Sequence, residues 1–556
     1  MPSAITSDTP IPRSKIMGFD HIVIGAGAAG CVVAARLSED PDRRVLLIEA
    51  GGHNRRLSVK APAAFASQFD TKLDWAYRTE PEEHLAGREL FHPRGRLLGG
   101  CSSMNAMMYV RGSAHDFDSW EAGGATGWSA EDVLPFFVRS EDNEDLRDRY
   151  HGQGGPLHVQ TVRDPDPVTL ATVEACAQAG ITRRDDINGE HQDGVALTQV
   201  NVRDGVRHDT ATAFLGPARR RPNLEILTGA LVHRVVLRGG RAVAVELSDR
   251  RNRIRQIEAS GDIVLCAGAF GTPEVLQRSG IGPAEHLRAV GIAPAVDLPA
   301  VGHHLMDHPF QFVNVELDER TPGLFGIEHP RNVARWLATR KGPLTTNVGE
   351  GLAFIRTDPS LPAADVELVI APIYFWEHGR GQHPRPAFSI GLSLVAPESR
   401  GSVLVSSGDP TQKARVRLNL LSQGSEVDAI VRAIQRTREI VAQPALDGIR
   451  GPEINPGPWT ADDGSLRGFI RHTAQHTYHP ACSARIGSPE EGACDPELRV
   501  HGVEGLRIGD ASAMPTVTRG NTHAPTIMIG ERCADFIRRG ASAEQVREAR
   551  PAATTA

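Results

Sequence analysis

Phe19-Asp20-His21-Ile22-Val23-Ile24-Gly25-Ala26-Gly27-Ala28-Ala29-Gly30 is the stretch from which the rest of the chain is read. Its first half is a short apolar run rich in β-branched residues, the composition of a strand buried on both faces. A helix of small residues follows, and a second apolar strand, 45–48, ends on Glu49, nineteen residues after Gly30. In a dinucleotide-binding unit each part has a duty. Gly25 makes the tight turn, Gly27 lets the backbone approach a pyrophosphate, and Gly30 lets the helix pack against the strand. The helix N-terminus offers free N–H groups and a positive dipole end to phosphate. A carboxylate at Glu49 accepts hydrogen bonds from both ribose hydroxyls and disfavours a 2′-phosphate. A GxGxxG alone is also what any glycine-rich loop looks like. Strand, helix, second strand and terminal acid together carry the dinucleotide reading. FAD and NAD both satisfy this stretch.

At 556 residues the chain is too long for one ordinary core and implies two or more domains. A net charge of -7 and a pI near 6.3 leave no basic stripe for nucleic acid. Seven scattered cysteines, odd in number and without a CxxC pair, form neither a disulfide framework nor a zinc knuckle. The first eighteen residues are polar and broken by proline, with no apolar core of a secretory signal. No apolar run reaches the length of a membrane span. A cytoplasmic protein is the expectation.

Outward from the opening unit, residues 129–140 predict a helix with Ser129 as N-cap, and 168–178 a second. A strand is expected within 151–160, two more within 223–246 joined at Gly239-Gly240, and a buried one at 263–269. Thr272-Pro273-Glu274 predicts a helix start with proline at its first position, stopped near Ser279-Gly280. From about 300 to 420 strands such as 365–373 and 387–395 succeed one another without helices, the pattern of an antiparallel sheet. Residues 426–441 are amphipathic. At 506–510 a strand ends on Gly509-Asp510, from which the acid reaches a ribityl or sugar hydroxyl. Residues 526–538 predict a closing helix, with the stretch beyond Gly540 frayed.

Several motifs remain. One is Gly95-Arg96-Leu97-Leu98-Gly99-Gly100-Cys101-Ser102-Ser103-Met104-Asn105, whose adjacent glycines let a backbone lie flat against something large and planar. A tight turn before a helix is its plainer reading. The others are Gly268 to Gly282, Gly302-His303-His304-Leu305-Met306-Asp307-His308-Pro309, Tyr478-His479-Pro480, and Gly520-Asn521-Thr522-His523-Ala524-Pro525-Thr526. In this order they resemble the glucose–methanol–choline (GMC) family of FAD-dependent oxidoreductases, in its choline dehydrogenase- and oxidase-like form, over about Phe19 to Arg538.

The resemblance implies an α/β fold, with a Rossmann-like FAD-binding domain on a parallel sheet and an α+β substrate domain on an antiparallel sheet. It divides the chain into a discontinuous FAD-binding domain (19–160, 205–300 and 490–540) and a substrate domain (161–204 and 301–489). Residues 1–18 and 541–556 remain as flexible tails. The implied cofactor contacts are Gly25, Gly27, Gly30, Glu49, Ala50, Gly99, Gly100, Ser103, Asn105, Val232, Asp510, Ala511 and Thr522. Where some members tether FAD through a histidine, this chain has Met104, so FAD is expected to bind non-covalently. Cys482-Ser483-Ala484 replaces the usual Gly-Thr-Cys and is expected to put different side chains beneath the flavin edge. His304 stands where the family usually has asparagine.

Oxidising an alcohol requires removal of the hydroxyl proton while the carbon delivers hydride to flavin N5, so the protein must supply a base and a partner for the alkoxide. His479 aligns with the catalytic histidine of the family and His523 with a second position held by histidine or asparagine. His479 is expected to act as base and His523 to orient the alkoxide. His472, His476 and His479 have a spacing that would suit zinc, but no HExxH glutamate accompanies them and Pro480 ends the helix they need, so no metal is expected. Glu350, Glu367, Glu377 and His378 fall in the substrate segment and would favour a cationic amino-alcohol; solvated acids on strand edges are the plainer reading. The implied reaction takes a small primary alcohol to an aldehyde, with further oxidation to the acid left open. Electrons pass to O2 or a redox carrier, and an oligomer is allowed. A lyase or a light-driven decarboxylase on the same fold is the alternative.

Overall fold

The computed structural model describes residues 18–548; the remainder of both expected tails lies outside the described residues. Five parallel strands lie in the order Leu224–Thr228, Val45–Glu49, His21–Ile24, Ile263–Leu265, Leu506–Ile508. Ile22 sits between Leu46 and Ile263, and every residue of the three central strands is buried, as unbroken apolar runs require. The helix Ala28–Leu37 covers the sheet and is itself covered by the closing helix His523–Glu548. Their close approach depends on Gly530, where a Cβ would stand 3.0 Å from the Ala29 carbonyl oxygen.

Four sequence expectations change, the first being that the helix Pro330–Thr339 interrupts the succession of strands expected from about 300 to 420. The 223–246 segment holds three strands, because Gly229, with φ of 71°, turns the chain off the parallel sheet before the hairpin Leu231–Arg238 and Arg241–Ser248 begins. The helix expected from Thr272 starts four residues earlier and spans Gly268–Arg278, because the Asp510 carboxylate accepts the Gly268 N–H at 2.8 Å. Pro273 is therefore interior and cannot donate to the Ala269 carbonyl. Ser483 Oγ donates to that carbonyl instead, at 2.5 Å. The closing helix continues past Gly540 to Glu548 rather than fraying there.

A seven-stranded antiparallel sheet lies beyond the first. Its order is Arg450–Asn455, Pro309–Leu317, Ala387–Leu394, Val366–Ala371, Gly351–Ile355, Gly194–Leu197, with Gln475–His476 paired onto the start of Pro309–Leu317. Alternation sorts its side chains. Val313, Ile390, Leu368 and their neighbours two residues away pack with Val427, Ile430 and Ile434 of the amphipathic helix Gly424–Val441. On the other face, one cross-strand row is Phe310, Ser393, Glu367 and Phe354, and the next is Phe312, Gly391 and Val369. That face looks into a cavity.

Candidate active site

Residues of both sheets line one continuous cavity. Among the anticipated cofactor contacts, Gly25, Gly27, Glu49, Ala50, Gly100, Asn105, Val232, Asp510, Ala511 and Thr522 lie on its wall, as do His479 and His523. Gly30, Gly99 and Ser103 stand behind it. A Cβ on Gly30 would be 1.8 Å from the Gly25 carbonyl oxygen, the Gly99 N–H donates to Ala26 at 2.7 Å, and Ser103 Oγ donates to the Leu98 carbonyl at 2.8 Å. These three shape the wall without facing the cavity.

At one end Gly25 turns with φ of 96°, and a Cβ on Gly27 would meet only the Cys266 carbonyl oxygen, at 3.9 Å. The helix that begins there has no side-chain cap, so its first N–H groups are left for an anion. Glu49 accepts from the Ala26 N–H at 3.0 Å and the Gly51 N–H at 2.8 Å, one on each oxygen, leaving each oxygen a further lone pair. Burial raises its pKa to about 7. Asp510 differs from expectation: its carboxylate already accepts from Gly268, Thr272 and both donors of Ser512. It fixes the surrounding backbone rather than presenting free oxygens to a sugar. The Gly99-Gly100 turn presses on the dinucleotide loop itself, since a Cβ on Gly100 would lie 2.7 Å from Gly27 Cα.

At the other end, His479 is held from three sides. Its backbone N–H donates to Asp307 Oδ1 at 2.9 Å, its Nδ1 lies 3.1 Å from His308 Nδ1, and its Nε2 lies 3.2 Å from Asn521 Nδ2. With the Asn521 amide donating, Nε2 carries the lone pair and Nδ1 the proton, which His308 accepts. Burial, then the neighbouring His308 and Arg94, hold the His479 pKa well below 6.5. Asp307 also takes the His92 Nε2 at 2.8 Å, and His92 stacks on His476 at 3.8 Å, so a buried network supports the base from beneath.

His523 lines the same cavity but makes no hydrogen bond to His479. Both its ring nitrogens are buried without a partner, burial lowers its pKa to about 4, and the charges acting on it are those of Arg207 and Asp209. The group that meets His479 is Asn521, two residues earlier in the same motif. Sequence reasoning also passed over Asp307 and His308 as supports, although the Asp307-His308-Pro309 motif was in view. The zinc spacing is not realised: His472 is exposed and bonded to the Gly468 carbonyl, while buried His476 donates from Nε2 to the Phe91 carbonyl at 3.0 Å. Cys482, Ser483 and Ala484 are wholly buried and do not reach the cavity, contrary to expectation, because Ser483 is turned toward Ala269. His304 has φ of 60°, a left-handed conformation that asparagine adopts readily.

The chain matches the GMC oxidoreductase family over residues 19–310 and again over 397–530. It belongs to that family. An uncharacterised GMC-type oxidoreductase of Mycobacterium tuberculosis is 41% identical over 530 residues, covering 93% of this chain and 99% of the relative. An oxygen-dependent choline dehydrogenase of Ectopseudomonas mendocina is 40% identical, covering 94% of each. Among solved structures, pyridoxine 4-oxidase from Mesorbium loti superposes with a TM-score of 0.87 at 32% identity, covering 94% of this chain and 99% of that one. As a GMC oxidoreductase the protein is an FAD-dependent enzyme acting on CH–OH donors. Its residues fit the cofactor: Glu49 would hold the ribose hydroxyls, and Gly27 with the uncapped helix N-terminus would hold the pyrophosphate. Met104, buried against Phe65, Phe69 and Phe91, stands on the cavity wall near that path. Among the described residues no helix is long and apolar enough to cross a membrane.

Proposed function

We propose that the enzyme oxidises a primary alcohol to its aldehyde, with His479 as the base and Asn521 as the alkoxide partner. Bound FAD supplies the acceptor for the hydride leaving the carbinol carbon. When the hydroxyl enters, the Asn521 N–H beside His479 Nε2 at 3.2 Å passes to the substrate oxygen on which charge develops, and the freed Nε2 lone pair takes the hydroxyl proton. His308 keeps the imidazole in the required tautomer, and Asp307 fixes its backbone. Because its pKa is depressed, the base is already neutral at neutral pH. Phenylalanines 310, 312 and 375 on the substrate side leave little for water to bind. The proposed electron acceptor is dioxygen or a redox carrier; dioxygen is supported by relatives named as oxygen-dependent or as oxidases.

The observation that carries this reading is the His479–Asn521 pair on the wall of the dinucleotide cavity. Its test is anaerobic rapid mixing of the holoenzyme with primary alcohols, watching flavin absorbance. Bleaching that disappears in His479→Ala supports it. An oxidised flavin that no primary alcohol reduces rejects it.

A further inference from the structure

Glu367 has no protein partner. It lies mid-strand in Val366–Ala371, is 1% exposed, and both carboxyl oxygens are buried without a hydrogen bond. Burial is the sole influence on its pKa, which rises to about 8. An unmet buried carboxyl is costly and rare in a native fold. Glu350, the nearby acid with which it was grouped by sequence, is satisfied by Thr346, Thr169 and the Asp166 N–H. Glu367 is thus neither a solvated strand-edge acid nor a structural one.

Its position says what it faces. In the cross-strand row Phe310, Ser393, Glu367, Phe354, it points to the cavity side of the sheet. The Phe354 ring lies 3.3 Å from where a Cβ on Gly520 would be, and Gly520 precedes Asn521. The row therefore runs beside the proposed catalytic pair. Beside the carboxyl stand Phe354 and Ser393, whose hydroxyl is engaged with Thr477 at 3.3 Å rather than with Glu367, and Phe310, Phe312, Val369 and Met108 add apolar cavity wall. A carboxyl so placed gains most from a ligand that brings its own donor and positive charge, since a charge-assisted bond is strongest where water is excluded. A quaternary ammonium has charge but no N–H, and leaves both oxygens unmet.

We propose that Glu367 determines substrate choice by binding an N–H-bearing cationic nitrogen, a protonated amine or ring nitrogen, on the part of the alcohol remote from its hydroxyl. This rests on the reading of the cavity as the site of alcohol oxidation.

The test uses FAD-loaded wild type, Glu367→Gln and Glu367→Leu. Each is titrated anaerobically with a homologous series of ω-amino primary alcohols, their N-trimethyl counterparts and their terminal-methyl counterparts. Alkylamines lacking the hydroxyl are titrated in parallel, with the change in the oxidised flavin spectrum reporting affinity alone. Wild type should favour the amine by about 10-fold or more over both counterparts, and Glu367→Gln should lose that margin at unchanged FAD content. Glu367→Leu should favour the terminal methyl. A margin unchanged in both variants, or a wild type that favours the trimethyl or methyl compounds, overturns the inference. Alkylamines that bind through Glu367 while no alcohol bleaches the flavin would uphold it and reject alcohol oxidation; bleaching indifferent to Glu367 would do the reverse.

Discussion

His308 Nδ1 stands 3.1 Å from His479 Nδ1, and one proton serves both atoms. Since His308 accepts it, the opposite nitrogen of His479 is unprotonated and carries its lone pair toward Asn521. His479→Ala should slow flavin reduction by roughly 10²-fold or more, as expected for loss of a general base. His308→Phe keeps the base but frees its tautomer, and should cost about 10-fold at unchanged FAD content. Equal rates in wild type and His308→Phe would remove His308 from the mechanism.

Asn521 and His523 can be separated by substitution. Asn521→Ala removes the donor beside His479 Nε2, and should slow anaerobic flavin reduction by about 10-fold or more, within the range for a lost oxyanion donor. His523→Asn should retain most of the rate. The reverse ranking would restore His523 to the catalytic pair.

The pH dependence follows from burial. A base held well below 6.5 is neutral throughout the neutral range, so flavin reduction should be flat above pH 6.5 and fall only in acid. Stability moves the same way. His308 and His523, with pKa near 4 in the fold, are neutral where the unfolded chain would be protonated. Their contribution is fully present above pH 6.5 and is lost as pH falls toward about 4. Stopped-flow rates and thermal unfolding of the apoprotein across this window check the two limbs separately.

Cofactor release tests the Met104 position. Acid or heat should free all the yellow flavin into the supernatant, because a thioether offers no stable tether; colour in the pellet would refute this. Glu49→Ala should weaken FAD retention by about 1–3 kcal/mol through lost bonds to ribose. Equilibrium dialysis of the apoprotein measures it, and an unchanged affinity would turn Glu49 away from the adenosine.

The bond from Ser483 to the Ala269 carbonyl makes a paired prediction. Ser483→Ala leaves a buried carbonyl unmet and should cost about 1–3 kcal/mol in unfolding free energy. Adding Pro273→Ala restores a backbone donor and should recover part of it, a coupling that a double-mutant cycle reads directly.

The parallel strands were legible because burial on both faces forces continuous apolar runs, and the antiparallel region because Val366–Ala371 and Ala387–Leu394 follow each other without an α-helix, whereas the helix Pro330–Thr339 ahead of them was missed. The start of the 268–278 helix was not, since proline's preference for a first turn gave way to a cap from Asp510, distant in sequence. Asn521 was hidden by chemistry: imidazole is the stronger candidate on paper, while the direction of each side chain is set by the turn at Gly520, with φ of 109°. Glu367 could be placed on a strand from sequence. That nothing answers its carboxyl is a property of the surrounding walls and has no local signature.

The strand order also constrains how the enzyme is made. Residues 21–49 are synthesised long before the strand Leu506–Ile508 that closes their sheet and the helix that shields Ala28–Leu37. A nascent or prematurely terminated chain lacks Asp510, Asn521 and the cover over its first helix, and exposes Ile263–Leu265 as an unpaired apolar edge. The cavity wall is therefore incomplete until the segment holding Asp510 and Asn521 has been made. A chain truncated before Leu506 is expected to retain no FAD.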